Sequence, residues 1–430
     1  MGSGLLWRRV ATALGSYGSV LLGVAGTVAY ARELGPHRSG LLGEVLVTTA
    51  FFQVLLDLTV EEAMVKFGFR YKESGRWGKL RRLYTQALTV KAVGGVLAGL
   101  AIVGFAPLAD HVYGTSGLFV PTLIAGLLPF AQSPEAVAGG ALVIRERYDI
   151  RAGYLAVGSG LRLAGFAIGA HYGVAEAVLG VVSAQVVSSA IVGHAGLRGF
   201  REFPHAVAEK LGPDLREIVR FVVQSSIATA IISARATLGT ALFGVVSNPT
   251  QVSFLQRGMA PMAGLQALTS PVRLILLAEQ TRDWERGDEE GVLRSLRRYS
   301  YGAGLLMLVA VPPLFWFMPD LVKLVFGNKF GPAGSPARIL LIAGAIQLIF
   351  AWTKSFPLSI GRPGLRIVTH GIEALVFLPF VVGLGLVWDA SGAAVAVLIS
   401  TCVFATIWLF LLARIGRRSR LLVSGAPLST

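Results

Sequence analysis

Six basic residues lie inside long apolar segments of this chain, where a charged side chain is unfavourable unless it meets a polar partner. They are Lys91, Arg162, Arg235, Arg257, Arg273 and Lys354. A charge at the centre of a bilayer costs at least about 2.5 kcal/mol, so such residues usually face a polar interior. A guanidinium group can donate two parallel hydrogen bonds to a phosphate. The pattern predicts a site for an anionic group, although Lys91 could also reach the membrane surface along its flexible stem.

The segment around Arg235 also indicates a direction for its side chains. Small hydroxyl residues share one helical face at three- and four-residue spacing: Ser226, Thr229, Ser233, Thr237 and Thr240. Such a face is typical of helix packing, so Gln224 and Arg235, on the opposite face, are predicted to point inward. The substrate-binding candidates are therefore Arg235, Arg257, Arg162, Gln224, Lys354 and Arg273.

A polar stripe on the segment 41–65 suggests a second kind of chemistry. Thr49, Gln53 and Asp57 follow each other at four-residue spacing, and Glu44 lies one turn and a residue earlier. One interpretation is a cavity wall lined by Thr49 and Gln53, with Asp57 or Glu44 binding a coupling H⁺ or Na⁺. The other is a buried carboxylate paired with an arginine of its own bundle. The sequence leaves both interpretations open.

The composition explains where these residues must lie. Hydrophobic residues make up 54% of the 430 residues and charged residues 15%, against about 25% charged in ordinary soluble domains. The chain is therefore predicted to be an all-α polytopic membrane protein. The net charge of +15 fits basic loops on the cytoplasmic side better than nucleic-acid binding. The single Cys402 excludes an internal disulfide, and the histidines show no metal-ligand spacing, so no cofactor is expected beyond a coupling ion.

About twelve apolar segments are predicted to be helices. They span residues 10–31, 41–65, 83–107, 117–143, 152–170, 174–193, 217–244, 250–278, 299–318, 337–358, 366–388 and 391–413. The first resembles a signal peptide, but its apolar run of about 22 residues suits an uncleaved span. Lys and Arg concentrate in loops such as 66–82 and 279–298, which lie on one side, so both termini are predicted to be cytoplasmic.

The chain repeats short patterns at a nearly constant distance. Leu80-Arg81-Arg82 recurs as Leu296-Arg297-Arg298, and the run ending at Gly114 recurs as the run ending at Gly327. This order predicts an internal duplication of two six-helix bundles with a pseudo-two-fold axis along the membrane normal. The predicted domains are residues 1–200 and residues 201–430, the latter with a short basic tail.

Several motifs resemble one known family in order and position. The first half contains Arg32-Glu33-Leu34-Gly35-Pro36, Leu56-Asp57-Leu58 and Glu62-Ala63-Met64-Val65; the second contains Leu324-Val325-Phe326-Gly327 and Ile360-Gly361-Arg362. The chain resembles the polysaccharide and O-antigen flippases of the multidrug/oligosaccharidyl-lipid/polysaccharide exporter (MOP) superfamily over residues 10–415. The resemblance implies a V-shaped pair of bundles around a central cavity lined by the seventh and eighth helices, which favours Arg235 and Arg257 as substrate ligands.

The resemblance also implies an activity and partners. A flippase would move a polyprenyl-(pyro)phosphate-linked oligosaccharide from the cytoplasmic to the outer leaflet of the plasma membrane by alternating access. Its partners would be this lipid, the bilayer, and a glycan polymerase with glycosyltransferases. No phosphate loop or hydrolase motif is readable, so the chain is predicted not to be an enzyme and to use a gradient or potential. The alternatives are a multidrug or organic cation antiporter and a membrane-embedded glycosyltransferase or polymerase.

Overall fold

A computed structural model shows an all-helical protein. It describes residues 2–56, 58, 60–267, 276, 280, 283–284, 286, 288–360, 362 and 364–423. Within these ranges every regular element is an α-helix or a short 3₁₀-helix, so the predicted all-α class is confirmed.

The helices in the first part of the chain are α1 Gly2–Leu56, α2 Val60–Glu73, α3 Trp77–Val112, α4 Phe119–Ala125, α5 Leu127–Ile144, α6 Tyr148–Tyr172, α7 Val174–Arg201 and α8 Asp214–Val246. The second part contains α9 Pro249–Gly258, α10 over the described residues 260–267, α11 Glu289–Phe326, a 3₁₀-helix Asn328–Ala333, α12 Gly334–Ile349, a 3₁₀-helix Ala351–Lys354, α13 Phe356–Ser359 and α14 Gly364–Val423.

The two longest helices are each broken at one tight corner. In α1 the corner is Gly35, whose φ of 71° and ψ of 179° lie where glycine is favoured over residues with a side chain. In α14 it comprises Trp388 and Asp389, and Asp389 has a φ of 51°. The corner of α14 falls at the end of the predicted helix 366–388, so α14 contains both 366–388 and 391–413. The corner of α1 falls between 10–31 and 41–65, and α1 contains the first of these and residues 41–56 of the second.

Several predicted helices differ from the structure in their boundaries, and four of them are divided. Within its described residues, 250–278 is divided at Met259 into α9 and α10, and 337–358 comprises most of α12, the 3₁₀-helix Ala351–Lys354 and the start of α13. The segment 41–65 is two helices, because α1 ends at Leu56 and α2 begins at Val60. The segment 117–143 is divided into α4 and α5 at Gly126. The helix predicted to begin at residue 299 begins at Glu289, where the Asp288 side chain caps it by accepting a hydrogen bond of 2.7 Å from the Gly291 amide.

Seven helices in the described ranges are long and apolar enough to cross a membrane, including Trp77–Val112 and Gly364–Arg414. Large apolar side chains such as Leu100, Leu305 and Phe410 are exposed on them. Exposed apolar surface of this extent suits a lipid environment. The protein is therefore a multi-pass membrane protein.

The chain forms two compact units, residues 1–250 and 251–430. In the first, α8 packs on α1 and α2, and α6 approaches α7 so closely that a side chain at Gly165 would overlap the backbone of Gly180. In the second, Trp352, Phe356, Phe404 and Trp408 form an aromatic core. The boundary between residues 200 and 201 and the two-fold relation of the predicted bundles stay predictions.

Candidate functional site

A cavity of about 590 Å³ lies inside the first unit, between α2, α5, α6 and α7. Its polar and charged lining consists of Glu61, Glu62, Lys66, Glu135, Arg151 and Tyr154. The rest of the wall is small or apolar, and includes the adjacent glycines 139 and 140. Carboxylates accept hydrogen bonds from hydroxyl and ammonium groups, whereas the arginine and lysine donate to oxygen anions. The cavity can therefore hold a polar ligand that presents both donors and negative charge.

Behind this cavity a fully buried amide connects two charged side chains. Gln185 on α7 accepts a hydrogen bond of 3.1 Å from Arg162 Nη1 on α6. Its amide nitrogen donates to Glu135 Oε2 at 2.6 Å and to Ser189 Oγ at 2.9 Å. Arg162, a predicted substrate ligand, is thus joined through Gln185 to a carboxylate of the cavity wall. The sequence reasoning missed Gln185, although its four-residue spacing to Ser189 was a readable polar signal.

Lys91, the predicted intramembrane lysine of this unit, also pairs with a carboxylate of the cavity. Lys91 is 6% exposed, and its Nζ lies 3.5 Å from Glu61 Oε1. Ser133 of α5 donates a hydrogen bond of 3.1 Å to the Lys91 carbonyl. Lys91 therefore lies in the interior of the helical unit, with its charge directed to Glu61.

The residues of the polar stripe on α1 differ in their contacts: one bonds within its own helix and one bonds to α5. Thr49 is buried and donates 2.8 Å to the carbonyl of Val45 on its own helix. Gln53 donates 2.8 Å to Gln132 Oε1 on α5. Asp57 lies outside the described residues. The structure thus places Thr49 and Gln53 at helix contacts and outside the residues that line the 590 Å³ cavity.

Glu44 is the most isolated carboxylate in the part of the chain that the structure describes. Its side chain is 1% exposed, and neither carboxylate oxygen has a hydrogen-bond partner there. Tyr113, at the end of α3, shares a 2.7 Å hydrogen bond with Thr48 instead. Burying an ionised carboxylate without a partner costs many kcal/mol, so such a group is neutral unless water reaches it. The predicted alternative, a pairing of Glu44 with an arginine, is absent among the described residues.

Arg257 in the second unit lies in an apolar setting. It is 2% exposed, with its guanidinium carbon 5.7 Å from the centre of the Phe326 ring. It borders an apolar cavity of about 350 Å³ formed with α10, α11 and α12. An arginine over an aromatic face gains cation–π attraction. A buried positive group and an apolar cavity are therefore adjacent to each other within the second unit.

The other predicted ligands are spread along the chain. Lys354 ends a short 3₁₀-helix and is half-buried. Gln224 is exposed on α8. Arg235 lies on the same helix, but its side chain is outside the described part, and Arg273 lies outside the described residues altogether. Seven residues before Arg273 in the sequence, Gln266 donates a hydrogen bond of 2.6 Å to Gln347, which in turn donates one of 3.2 Å to Thr401.

The beginning of α8 is held to α2 and α3 by a charged cluster that the sequence reasoning did not single out. Arg70 makes two hydrogen bonds to Glu217, of 2.9 and 3.0 Å. Lys79 Nζ and the Tyr71 hydroxyl donate to Asp214 Oδ2 at 2.8 and 3.0 Å. The hydrogen bonds from Lys79 and Tyr71 hold the pKa of Asp214 below its ordinary value, and Arg70 does the same to the pKa of Glu217.

The same helix contacts the cavity wall. Ser225 of α8 donates a hydrogen bond to Glu62, one of the lining carboxylates. A change in the position of α8 would therefore be felt both by the charged cluster at its first turn and by the cavity. This contact joins the candidate site to a helix that spans from one side of the unit to the other.

The fold of the whole chain matches that of known membrane transporters. An inward-facing multidrug resistance MATE family transporter of the MOP superfamily superposes with a TM-score of 0.74 at 14% identity, covering 93% of this chain and 96% of that one. The lipid II flippase MurJ in an inward closed conformation gives 0.74 at 12% identity, with coverage of 94% and 87%. A MOP superfamily transporter from Pyrococcus furiosus gives 0.62 at 15% identity, with coverage of 94% and 93%.

These matches define the fold as that of the MOP superfamily. A family model described as polysaccharide biosynthesis protein matches residues 6–273, more than half of the chain. The protein therefore belongs to the polysaccharide biosynthesis protein family, and the predicted resemblance is confirmed. No curated protein matches the chain in a sequence search.

Proposed function

We propose that the protein is a flippase that moves a polyprenyl-(pyro)phosphate-linked oligosaccharide from the cytoplasmic to the outer leaflet by alternating access. The observation that carries this proposal is the family match over residues 6–273, together with a charged cavity inside the multi-pass unit that the match covers. The fold shared with a protein named lipid II flippase supports a substrate that is itself lipid-linked.

The chemistry of the cavity suits the head of such a lipid. A glycan is rich in hydroxyl groups, which can form hydrogen bonds with Glu61, Glu135 and Tyr154. The phosphate is an anion that can pair with Arg151 and Lys66. Moving this head through hydrocarbon without partners is prohibitively unfavourable. A polar cavity lowers that barrier while the polyprenyl tail stays in the lipid.

The arginines predicted from the sequence complete the proposal. Arg235 and Arg257 are proposed to contact the phosphate, with Arg162, Gln224, Lys354 and Arg273 as further ligands along its path. The buried position of Arg257 beside an apolar cavity would suit a phosphate adjacent to its lipid chain. Asp57 and Glu44 are the proposed groups for ion coupling.

Membrane placement and partners follow from the same substrate. We place the protein in the plasma membrane with both termini in the cytoplasm, because that orientation puts most basic loops inside. Glycosyltransferases would supply the lipid-linked glycan, and a polymerase would consume it on the outer side. Transport, rather than catalysis, is the proposed activity, and an ion gradient or the membrane potential would drive it.

One observation favours a second candidate, a multidrug or organic cation antiporter. The cavity lining contains three carboxylates, Glu61, Glu62 and Glu135, against two basic residues, Lys66 and Arg151. Excess negative charge attracts organic cations. A membrane-embedded glycosyltransferase or polymerase has no comparable support among the described residues.

Reconstitution separates the two transporters. Proteoliposomes would be loaded with a fluorescent polyprenyl-pyrophosphate oligosaccharide, and exposure of the glycan on the opposite leaflet would be followed by lectin capture; a second assay would follow uptake of a fluorescent organic cation. We expect lipid translocation that Arg151→Gln reduces at least tenfold. The matched control is Arg147→Gln, four residues earlier, which removes a half-buried pair with Asp149 outside the cavity. Cation uptake without glycan exposure would reject the flippase proposal in favour of the antiporter.

A further inference from the structure

Glu44 lies where α1, the end of α3 and α8 meet in the first unit. A side chain at Gly244 of α8 would lie 2.9 Å from Tyr113 Cε1 and 3.6 Å from Glu44 Cγ. Nearby, a side chain at Gly40 would overlap the Pro249 backbone. Gly244 lets the end of α8 pack directly on the side chains of Tyr113 and Glu44, and Gly40 lets α1 meet Pro249, the first residue of α9, at backbone contact. This close packing buries Glu44.

The groups facing Glu44 offer it no compensation for a negative charge. On its own helix the neighbour is Thr48, whose hydroxyl is engaged with Tyr113 at 2.7 Å. From the end of α3 the facing ionisable group is Tyr113, which is acidic rather than basic. From α8 the facing residue is Gly244, which carries no side chain. Within the described residues, therefore, neither a cation nor a free hydrogen-bond donor meets this carboxylate.

We propose that Glu44 is a proton-binding site, and that loss of its proton releases the end of α8 from α1. The neutral carboxylic acid fits this packed, dry contact, whereas the carboxylate requires water. Movement of the segment around Gly244 away from Glu44 would admit water to the carboxylate. Protonation and the closed contact therefore favour each other, which is the reciprocity that linkage requires.

The same surroundings select H⁺ over Na⁺. A hard metal cation needs several oxygen ligands around it, whereas neither oxygen of Glu44 has a hydrogen-bond partner among the described residues and the facing Thr48 and Tyr113 hydroxyls are bonded to each other. A proton needs only one carboxylate oxygen. The coupling ion that the sequence left open is thus assigned to H⁺ at Glu44. Its role in driving transport rests on the proposed function, but the proton-controlled contact does not.

The charged cluster at the opposite end of α8 cannot give the same response. The pKa values of Asp214 and Glu217 lie below their ordinary ranges, so both groups stay ionised throughout neutral and alkaline conditions. A change in the contact of α8 between pH 6 and pH 9 would therefore originate at its other end, where Glu44 lies.

Hydrogen exchange with mass spectrometry tests the proposal on the full-length protein in lipid nanodiscs. Amide protection of residues 238–248 would be measured from pH 6 to pH 9 in wild type and in Glu44→Gln, which keeps the shape and cannot ionise. As long as the closed contact holds the neutral acid and the open contact the carboxylate, opening releases one proton, so the exchange rate in wild type relative to this variant should rise by up to roughly tenfold per pH unit and level off once Glu44 is ionised in both states. Glu33→Gln, at an exposed carboxylate on α1, should behave as wild type, and Glu44→Leu should behave as Glu44→Gln if the amide variant folds poorly.

Two results would overturn the inference. Identical pH profiles in wild type and Glu44→Gln would show that Glu44 does not control the contact. Restoration of protection by Na⁺ at pH 9, with choline as the control cation, would show that sodium replaces the proton. The measurement involves no transported lipid, so a failed translocation assay with an intact exchange response would reject the flippase and leave the proton site standing.

Discussion

Replacing Gln185 by leucine should be one of the most damaging single changes in the first unit. The side chain is fully buried and makes three hydrogen bonds, two of them to the charged groups of Arg162 and Glu135. Bonds to charged groups contribute about 1.5–3 kcal/mol each and a neutral one about 0.5–1.5 kcal/mol. Leucine matches the volume of glutamine but leaves both charges without their buried partner. The expected loss in the free energy of unfolding is therefore the sum of the three bonds, about 3.5–7.5 kcal/mol.

Equilibrium unfolding in detergent with a chemical denaturant would measure this loss. Gln132→Leu is the matched control, because it removes one neutral amide bond with Gln53 and should cost only about 0.5–1.5 kcal/mol on the same scale. Adding Glu135→Gln and Arg162→Met to Gln185→Leu should recover part of the loss, because no unpaired charge then remains. If Gln185→Leu were no more destabilising than Gln132→Leu, the hydrogen bonds of Gln185 to Arg162 and Glu135 would add nothing measurable to the free energy of unfolding.

Three further outcomes follow from the described contacts. Gly165→Leu should lower the thermal midpoint through a steric cost of about 1–3 kcal/mol, whereas Gly153→Leu on the same helix, where space is open, should not; equal midpoints would contradict the close crossing. Asp288→Ala should cost about 1 kcal/mol by removing the cap of α11, measured by denaturant unfolding with Asp288→Asn retaining most of the stability. The folded pKa of Asp214 is lowered, so its stabilisation is complete above the ordinary pKa of an aspartate and disappears as pH falls through the lowered value. The stability gap between wild type and Asp214→Asn should therefore persist at pH 6 and close in acid, and a gap that widened on acidification would refute that sign.

Much of the helical architecture could be predicted because apolar length and turn residues are local properties. The sequence predicted a break between the spans 10–31 and 41–65, and the structure has its corner within that break, at Gly35. The break between Leu56 and Val60 was not predicted, because this stretch contains no glycine or proline and Asp57 was assigned to a polar helical stripe. Likewise, α11 extends ten residues before its apolar start, since Asp288 caps a polar turn that hydropathy does not detect.

The candidate site was less readable from the sequence because burial and partners depend on distant residues. Glu44 was recognised as an unusual carboxylate, but its isolation follows from the approach of Gly244, two hundred residues later. Arg162 was recognised as a buried charge, whereas its connection to Glu135 requires Gln185 on a third helix. The charged residues of α2 and the start of α8 looked like ordinary basic and acidic loop positions. Their pairing appears only once the helices are packed.

The corner at Trp388 and Asp389 makes the two halves of α14 a stiff hairpin. The turn has no slack, because a side chain at Gly392 would overlap the Leu384 carbonyl. A flexible loop would let two neighbouring spans slide independently, whereas this corner transmits any tilt of one half directly to the other. Within its unit, the two halves of α14 are therefore expected to tilt together as one rigid element.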